Sequence, residues 1–344
     1  MQPVLRSLGW SLRLEAAWAA LARPDLQPAR VTAQHRGEYE FISGDGPGRA
    51  ATAGALLHHA SGPQDLPVVG DWVGLRTGLI EVVLPRTGAL VRKLPGEGSE
   101  IQMLAANVDT TLVVASVTNE VNLRRIERFL TLAWEGGAPP LVVLTKVDLI
   151  PEAGRVVRDA QTALGTVPVV GVSNVTGEGF DELALHLEGT PTLAALGPSG
   201  VGKSTLINRL MGEDVLATAE VREDGKGRHT TSHRQLLFLP GGGALIDTPG
   251  LREVGLAIVE HGIEVAFEDV AVLAAGCRFP DCSHEHEPDC AVRGTVSNER
   301  LNAYRKQVRE AAAMARKVDK RLAREEARKW DKLYRDAKTR ARQR

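Results

Sequence analysis

Apolar and polar positions change their rhythm several times along this chain. Residues 10–22 repeat apolar positions at helical spacing, from Trp10 to Leu21. From there to about Leu94 the pattern breaks into short strands. Segments 30–34 and 38–42 flank a turn at His35-Arg36-Gly37, and segments 49–57, 71–75 and 79–84 follow, separated by Gly, Pro and Asp. Short strands with turn signals between them predict a small closed barrel of the OB type, a fold that often holds oligonucleotides. His58 and His59 read as surface residues without a special role. A linker, Pro95-Gly96-Glu97-Gly98-Ser99, comes next. Beyond it buried strands alternate with helices: strands at 111–115, 141–144, 167–172 and 193–196, and helices at 123–134, 154–164 and 180–187. Continuous apolar strands separated by helices predict a parallel sheet covered on both faces, and ligands of such sheets sit at the carboxyl ends of the strands. The last segment, 298–344, reads as helix. Leu301, Tyr304, Val308, Ala311, Ala315, Val318 and Leu322 form one apolar stripe on it at 3–4 spacing.

Composition changes this picture in four respects. The length of 344 residues accommodates two or three domains. The boundaries fall at 1–98 for the barrel with its N-terminal helix, 99–254 for the α/β domain and 255–344 for the remainder. A net charge of −1 hides an asymmetry, because residues 293–344 hold 18 Lys and Arg against 7 Asp and Glu. A basic terminal block suits an acidic partner, most commonly nucleic acid, met along its phosphates without base specificity. No apolar run approaches the roughly 18 residues of a bilayer span, and no signal peptide is visible, so a cytoplasmic protein without a membrane partner is expected. All 3 cysteines lie between 277 and 290, a cluster that argues against a disulfide framework and for a bound metal.

The chemistry centres on Gly197-Pro198-Ser199-Gly200-Val201-Gly202-Lys203-Ser204-Thr205, between an apolar strand and a helical pattern at 206–210. This is the context of a phosphate-binding loop. Glycines let successive N–H groups curl around a phosphate, and the helix N-terminus adds positive charge. Lys203 would reach the β- and γ-phosphates and Ser204 would ligate Mg²⁺. Directly after the strand 141–144 stands Thr145-Lys146-Val147-Asp148, similar to the guanine-reading motif Asn-Lys-x-Asp. The Asp148 carboxylate can accept both the ring N–H and the exocyclic amine of guanine, a pair adenine lacks, while the Lys146 stem lies over the base. Thr145 takes the place of the usual asparagine, which leaves that amide's bracing bonds without a source. Ser173-Asn174-Val175-Thr176-Gly177, after the next strand, resembles the loop that closes over guanine from the far side. Past the phosphate loop, Gly225-Lys226-Gly227-Arg228-His229-Thr230-Thr231 is a polar stretch in which Thr230 or Thr231 is the expected Mg²⁺ ligand; the residues leave open which. Strands at 235–239 and 244–246 then deliver Asp247-Thr248-Pro249-Gly250, with Asp247 holding Mg²⁺ through water and the Gly250 N–H meeting the γ-phosphate. The guanine motifs precede the phosphate loop, the reverse of Ras-like proteins, an order that a circular permutation of the same sheet allows.

The cysteines are spaced Cys277-x4-Cys282-x-His284-x5-Cys290. Three thiolates and an imidazole make a closed tetrahedral set of the structural kind for one Zn²⁺. By composition alone His286 rivals His284.

Motif order, barrel and cysteine cluster together resemble the circularly permuted GTPases that act in late maturation of the bacterial small ribosomal subunit. The resemblance covers nearly the whole chain, including residues 67–73, 104–109 and 227–231. It implies an OB-type barrel, a permuted P-loop GTPase domain and a helical zinc module, with His284 as the ligand. It also implies a GTP hydrolase that binds the small subunit and its rRNA and is stimulated by it. Leu251, where Ras-like enzymes have a water-orienting glutamine, cannot hydrogen-bond water. In line with the resemblance, His229 is the substitute. A monomer cycling between GTP and GDP is expected. Two other readings stay open: a nucleotide-binding RNA module without useful hydrolysis, and a kinase or ATPase, against which Asp148 argues.

Overall fold

The computed structural model of the chain describes residues 3–93, 101–118, 121–213, 215–216, 234–248 and 260–317. The expected linker at 95–99 and the part of the expected C-terminal helix after 317 lie outside these. The chain divides into two compact units, Met1–Arg92 with Gln102–Val254, and Lys93–Ile101 with Gly255–Arg344.

The first unit opens with helices α1 (Pro3–Ser7) and α2 (Leu12–Leu21), the second capped by the Ser11 hydroxyl, which accepts from the Leu14 N–H. Strands β1 (Gln27–Gln34), β2 (Tyr39–Ser43) and β3 (Gly46–Thr52) lead to helix α3 (Gly54–His59), then β4 (Trp72–Arg76) and β5 (Leu79–Val83). They hydrogen-bond in the order β1-β2-β3-β5-β4, and β4 pairs back with β1. The result is a closed five-stranded barrel of the OB type. Ala29, Val31, Tyr39, Ala50, Val73, Leu75 and Ile80 fill it. The N-terminal helices cover one side of the barrel through Leu5, Leu8, Trp10 and Leu14, with Trp10 edge-on to Trp72 at 4.7 Å.

One sequence expectation fails here. The strand expected over 49–57 ends at Thr52, and Gly54–His59 is helix. Short apolar runs do not separate strand from helix by periodicity. The tie is broken by the barrel, against whose core Leu56 packs. His58 and His59 are exposed, as expected.

A buried ion pair ties the long β3–β4 connection to the barrel. Arg86 donates from Nε and Nη2 to the two Asp71 carboxylate oxygens at 2.8 and 2.7 Å, and also bonds the Gln64 and Leu66 carbonyls. The Val68 N–H adds a third bond to Asp71, which is fully buried. Burial pushes the Asp71 carboxyl up and Arg86 opposes it. Arg86→Ala leaves that carboxylate without its hydrogen-bonded countercharge, so thermal or denaturant unfolding should register a loss of about 3–5 kcal/mol. A loss below about 1 kcal/mol would show the pair to be dispensable.

After the two-stranded sheet of β6 (Ala89–Lys93) and β7 (Ile101–Ala106) comes the nucleotide-fold portion. In chain order it comprises β8 (Thr110–Ser116), α4 (Leu123–Glu135), β9 (Pro140–Thr145), α5 (Ala153–Leu164), β10 (Val169–Val172), α6 (Phe180–Leu187), β11 (Thr192–Leu196), α7 (Lys203–Met211), β12 (Gln235–Phe238) and β13 (Ala244–Asp247). The sheet runs β10-β9-β8-β11-β13-β12, all parallel except β12. Every residue of β9 and β11 is buried, as strands covered on both faces require. On α4 the buried positions include Ile126, Phe129, Leu130 and Ala133, one stripe of a 3.6-residue repeat. The parallel sheet and the barrel are continuous, because β12 pairs antiparallel with β1 at Ala33 and Gln235.

The second unit contains α8 (Glu260–Ala266), α9 (Glu268–Ala274) and a helix α10 described over 298–317. Helix α10 lies against the other two. The Arg300 guanidinium stacks on Phe267 at 4.7 Å and bonds Asp269 at 2.6 and 2.7 Å, and the Tyr304 ring meets Phe267 at 5.6 Å. The apolar stripe is rotated slightly from its expected position. Leu301, Gln307, Ala311 and Met314 are buried and Tyr304 half-buried, whereas Val308 is exposed. A true 3.6-residue repeat brings Gln307 inward despite its polarity.

Candidate functional site

Because β10, β9, β8, β11 and β13 are parallel, their carboxyl ends share one edge of the sheet, and the expected nucleotide motifs at the ends of β9, β10, β11 and β13 meet there. The phosphate loop leaves β11 at Gly197. Its φ is +152°, and a side chain there would put a Cβ 2.3 Å from the Val114 carbonyl oxygen, so only glycine fits. Gly200 and Gly202 also have positive φ, and the loop turns directly into α7 at Lys203. Pro198, Ser199, Val201 and Thr205 complete the loop, with Ser199 and Thr205 exposed and the Ser204 hydroxyl half-buried in the first turn of α7.

The Lys203 amine lies across the loop and donates to the Gly197 and Pro198 carbonyls at 2.8 Å each. It is 7% exposed, and burial lowers its pKa to about 8, opposed by the charge of Asp247. Asp247, at the end of β13 and in register with Ala195 of β11, is more deeply buried still. Burial raises its carboxyl pKa and Lys203 counters the rise. The next residue, Thr248, stitches the two strand ends together by donating to the Ala195 carbonyl at 2.5 Å. Among the described residues the site therefore holds one cation and one anion in poorly solvated positions, suited to a phosphate on one side and a divalent cation on the other. His229, Thr230, Thr231 and Gly250 lie outside the described residues.

Two further loops border the phosphate loop. Thr145 is buried at the end of β9, and its hydroxyl faces the Val201 carbonyl at 2.5 Å and the Ala115 carbonyl at 3.1 Å. It thus braces the phosphate loop from the position where an asparagine is usual. Lys146 stands in the left-handed region, φ +66°, and its amine donates to the Gly200 carbonyl at 3.1 Å. That places the Lys146 stem beside the loop. Asp148 is exposed in the short turn Val147–Leu149. After β10, the Ser173 hydroxyl accepts from the N–H groups of Val175 and Thr176, folding residues 173–177 into a tight loop. Sequence reasoning passed over Asn174 in this loop. Its Nδ2 donates to the Gly202 carbonyl at 3.2 Å, and its own carbonyl accepts from Arg209 Nη1 at 2.8 Å. Nothing local in the sequence signals either bond, which close 28 and 35 positions of chain.

The second unit gathers the Cys277, Cys282 and Cys290 thiols and His284, one ligand atom from each, within 4.8 Å of one another. The three cysteines form no disulfide, and His284 Nδ1 lies 3.6 Å from the Cys277 sulfur and 3.5 Å from the Cys290 sulfur. His284 is buried with φ +60°, while His286 is exposed. Burial, helped by Arg305, holds the His284 pKa below its usual value, which favours the uncharged ring that a metal ligand requires. Sequence reading missed Glu287. Its carboxylate collects the N–H groups of Ser283, Glu285 and His286 and the Ser283 hydroxyl, shaping the loop that carries the histidine.

Comparison with known proteins agrees with this geometry. The sequence model of the RsgA GTPase family matches residues 83–257, and that of the 50S ribosome-binding GTPases matches 192–325. The small ribosomal subunit biogenesis GTPase RsgA of Streptomyces coelicolor is 47% identical over 94% of this chain and 91% of its own length. Its namesake in Opitutus terrae is 43% identical over 98% of both. The crystal structure of YjeQ from Thermotoga maritima superposes with a TM-score of 0.60 at 28% identity, over 83% of this chain and 99% of that one. That of YloQ, described as a circularly permuted GTPase, shares the fold with a TM-score of 0.58 at 22% identity, over 84% and 96%. A phosphate loop wired after its guanine-type motifs, a barrel continuous with its sheet, and relatives matched over nearly the whole chain identify this protein as a GTPase of the RsgA family.

Proposed function

We propose that this chain hydrolyses GTP to GDP and phosphate at the carboxyl edge of its parallel sheet and acts in maturation of the small ribosomal subunit. The carrying observation is the meeting of the phosphate loop with the Thr145–Asp148 and Ser173–Gly177 loops at that edge. The relatives' names supply the ribosomal context. Asp148 pairs with the guanine edge and the N–H groups of residues 197–204 cradle the phosphates, with Lys203 on the β- and γ-oxygens. Ser204 and Asp247, with Thr230 or Thr231, would hold Mg²⁺. That ion, when bound, offsets charge that builds on the phosphates. The Gly250 N–H meets the γ-phosphate. Since Leu251 has no polar group, His229 orients the attacking water.

In the second unit, Cys277, Cys282, His284 and Cys290 would hold one structural Zn²⁺. Ordinary zinc–sulfur and zinc–nitrogen bond lengths give tetrahedron edges of about 3.8 Å between sulfurs and about 3.6 Å from sulfur to nitrogen. The Cys277–Cys290 separation of 3.9 Å and the sulfur–Nδ1 separations of 3.5 and 3.6 Å fit that figure. The basic segment from 298 onward then lies along rRNA phosphate. No helix among the described residues is long and apolar enough to cross a membrane. We further propose a monomer that works in the cytoplasm.

The test is GTP turnover with and without purified small ribosomal subunits. Subunits should accelerate turnover, and His229→Ala should lower the stimulated rate by about 10²-fold while leaving GTP affinity unchanged. Unstimulated wild-type turnover would remove the proposed coupling, and full stimulation of the variant would remove His229. Competition by ATP as strong as by unlabelled GTP would favour an ATPase instead.

A further inference from the structure

We propose that Asn174 is a positioning residue of the nucleotide site, supplying the amide brace that Thr145 cannot. The proposal rests on the guanine-nucleotide reading of that site. An asparagine at position 145 would offer two N–H donors. Threonine offers one hydroxyl proton, and two carbonyls already face it, those of Val201 and Ala115. A third loop carbonyl, that of Gly202, is reached from the other side by Asn174 Nδ2 at 3.2 Å. A methyl group added at Gly202 would lie 3.2 Å from that nitrogen and 3.6 Å from the Thr145 hydroxyl, so the two side chains pack on the same corner of the phosphate loop.

Asn174 is itself held from behind. Its backbone carbonyl accepts from Arg209, and the Arg209 guanidinium lies over the Phe180 ring at 4.9 Å. Arg209 belongs to α7, the helix the phosphate loop feeds, so the 173–177 loop, the phosphate loop and α7 form a closed ring of contacts. The amide oxygen of Asn174 is buried without a partner among the described residues. An orphaned buried acceptor is costly, and alanine would carry none. The amide's presence is accounted for by its N–H on Gly202. Bracing acts on the bound nucleotide's phosphate cradle and on the loop beside the base together, so it should be felt as residence time rather than as a chemical step.

Release of a fluorescent GDP from the full-length protein tests this. Asn174→Ala should release GDP about tenfold faster, the worth of one hydrogen bond, with turnover at saturating GTP retained and KM raised. Thr145→Asn restores an amide from the original side, so the double variant T145N/N174A should return to within about twofold of wild type. Unchanged release in N174A overturns the proposal. So does accelerated release that T145N fails to rescue, since that pattern marks a loop merely misfolded. If T145N does not fold, judged by its melting curve, Asn174→Asp decides. A carboxylate facing the Gly202 carbonyl should release GDP faster than N174A, and equal or slower release overturns the brace. Asp148→Asn runs as a separate control. It should shift preference from guanosine to xanthosine nucleotides, and failure of that shift would sink the guanine site itself, whatever Asn174 does.

Discussion

Lys203→Ala should lower kcat/KM for GTP by about 10³-fold, or about 4 kcal/mol of transition-state stabilisation. The size follows from where the amine sits. It is buried at the neck of the phosphate loop, held by the Gly197 and Pro198 carbonyls, with Asp247 as its countercharge. A positive charge aimed at the phosphates from so poorly solvated a position acts with little screening as charge moves through the reaction. Lys203→Arg should not rescue the rate, because a planar guanidinium does not reproduce the two bonds that the compact ammonium makes to the Gly197 and Pro198 carbonyls. Steady-state turnover beside a melting curve checks both variants. Turnover within about tenfold of wild type in a folded alanine variant would show that the amine is structural.

The second large effect concerns the metal cluster. Cys282→Ala, or prolonged chelation of the wild-type protein, should release one zinc ion per chain and unfold the segment around 276–292. Structural zinc contributes apparent binding energies of about 10–16 kcal/mol that appear as folding energy, more than a loop of this size obtains from packing. Within that segment only Val292 and His284 are buried, so little apolar surface would hold it once the ligands separate. Nucleotide affinity should persist, because the phosphate loop and its bordering loops belong to the other unit. Metal analysis and hydrogen exchange over 276–292 provide the readouts. A wild-type protein that carries no zinc, or a variant with unchanged protection, would overturn the assignment.

The legibility of this chain varied with the range of the interactions. Strands β8, β9 and β11 could be read because burial on both faces writes an unbroken apolar run such as Leu141-Val142-Val143-Leu144. Helix α3 could not be read, since Gly54-Ala55-Leu56-Leu57 fits either period until a barrel core receives Leu56. Arg30 went unnoticed for a related reason. It sits in an ordinary strand sequence, yet its guanidinium is wholly buried, bonded to the Leu8 carbonyl and the Thr192 hydroxyl and lying over Trp72 at 5.5 Å. Burial lowers its pKa to about 10, with Asp109 and Asp71 opposing. Its partner Thr192 is 162 positions away, and no local pattern announces such a meeting.

By itself, the order of residues determined which groups this protein owns and in what sequence: a glycine loop ending in Lys203-Ser204, an acid at 148 after a buried strand, four metal donors within fourteen residues. Those are local facts, set by backbone conformations only glycine adopts, by strand and helix periods, and by short ligand spacings. The tertiary structure alone decided how they work together. It set β11 between β8 and β13, joined β12 to the barrel, turned Gln307 rather than Val308 inward, and brought Thr145 and Asn174 to opposite sides of one loop. Hydrogen bonds and buried charges act over about 3–4 Å irrespective of chain separation, so only the folded arrangement determines which of them form.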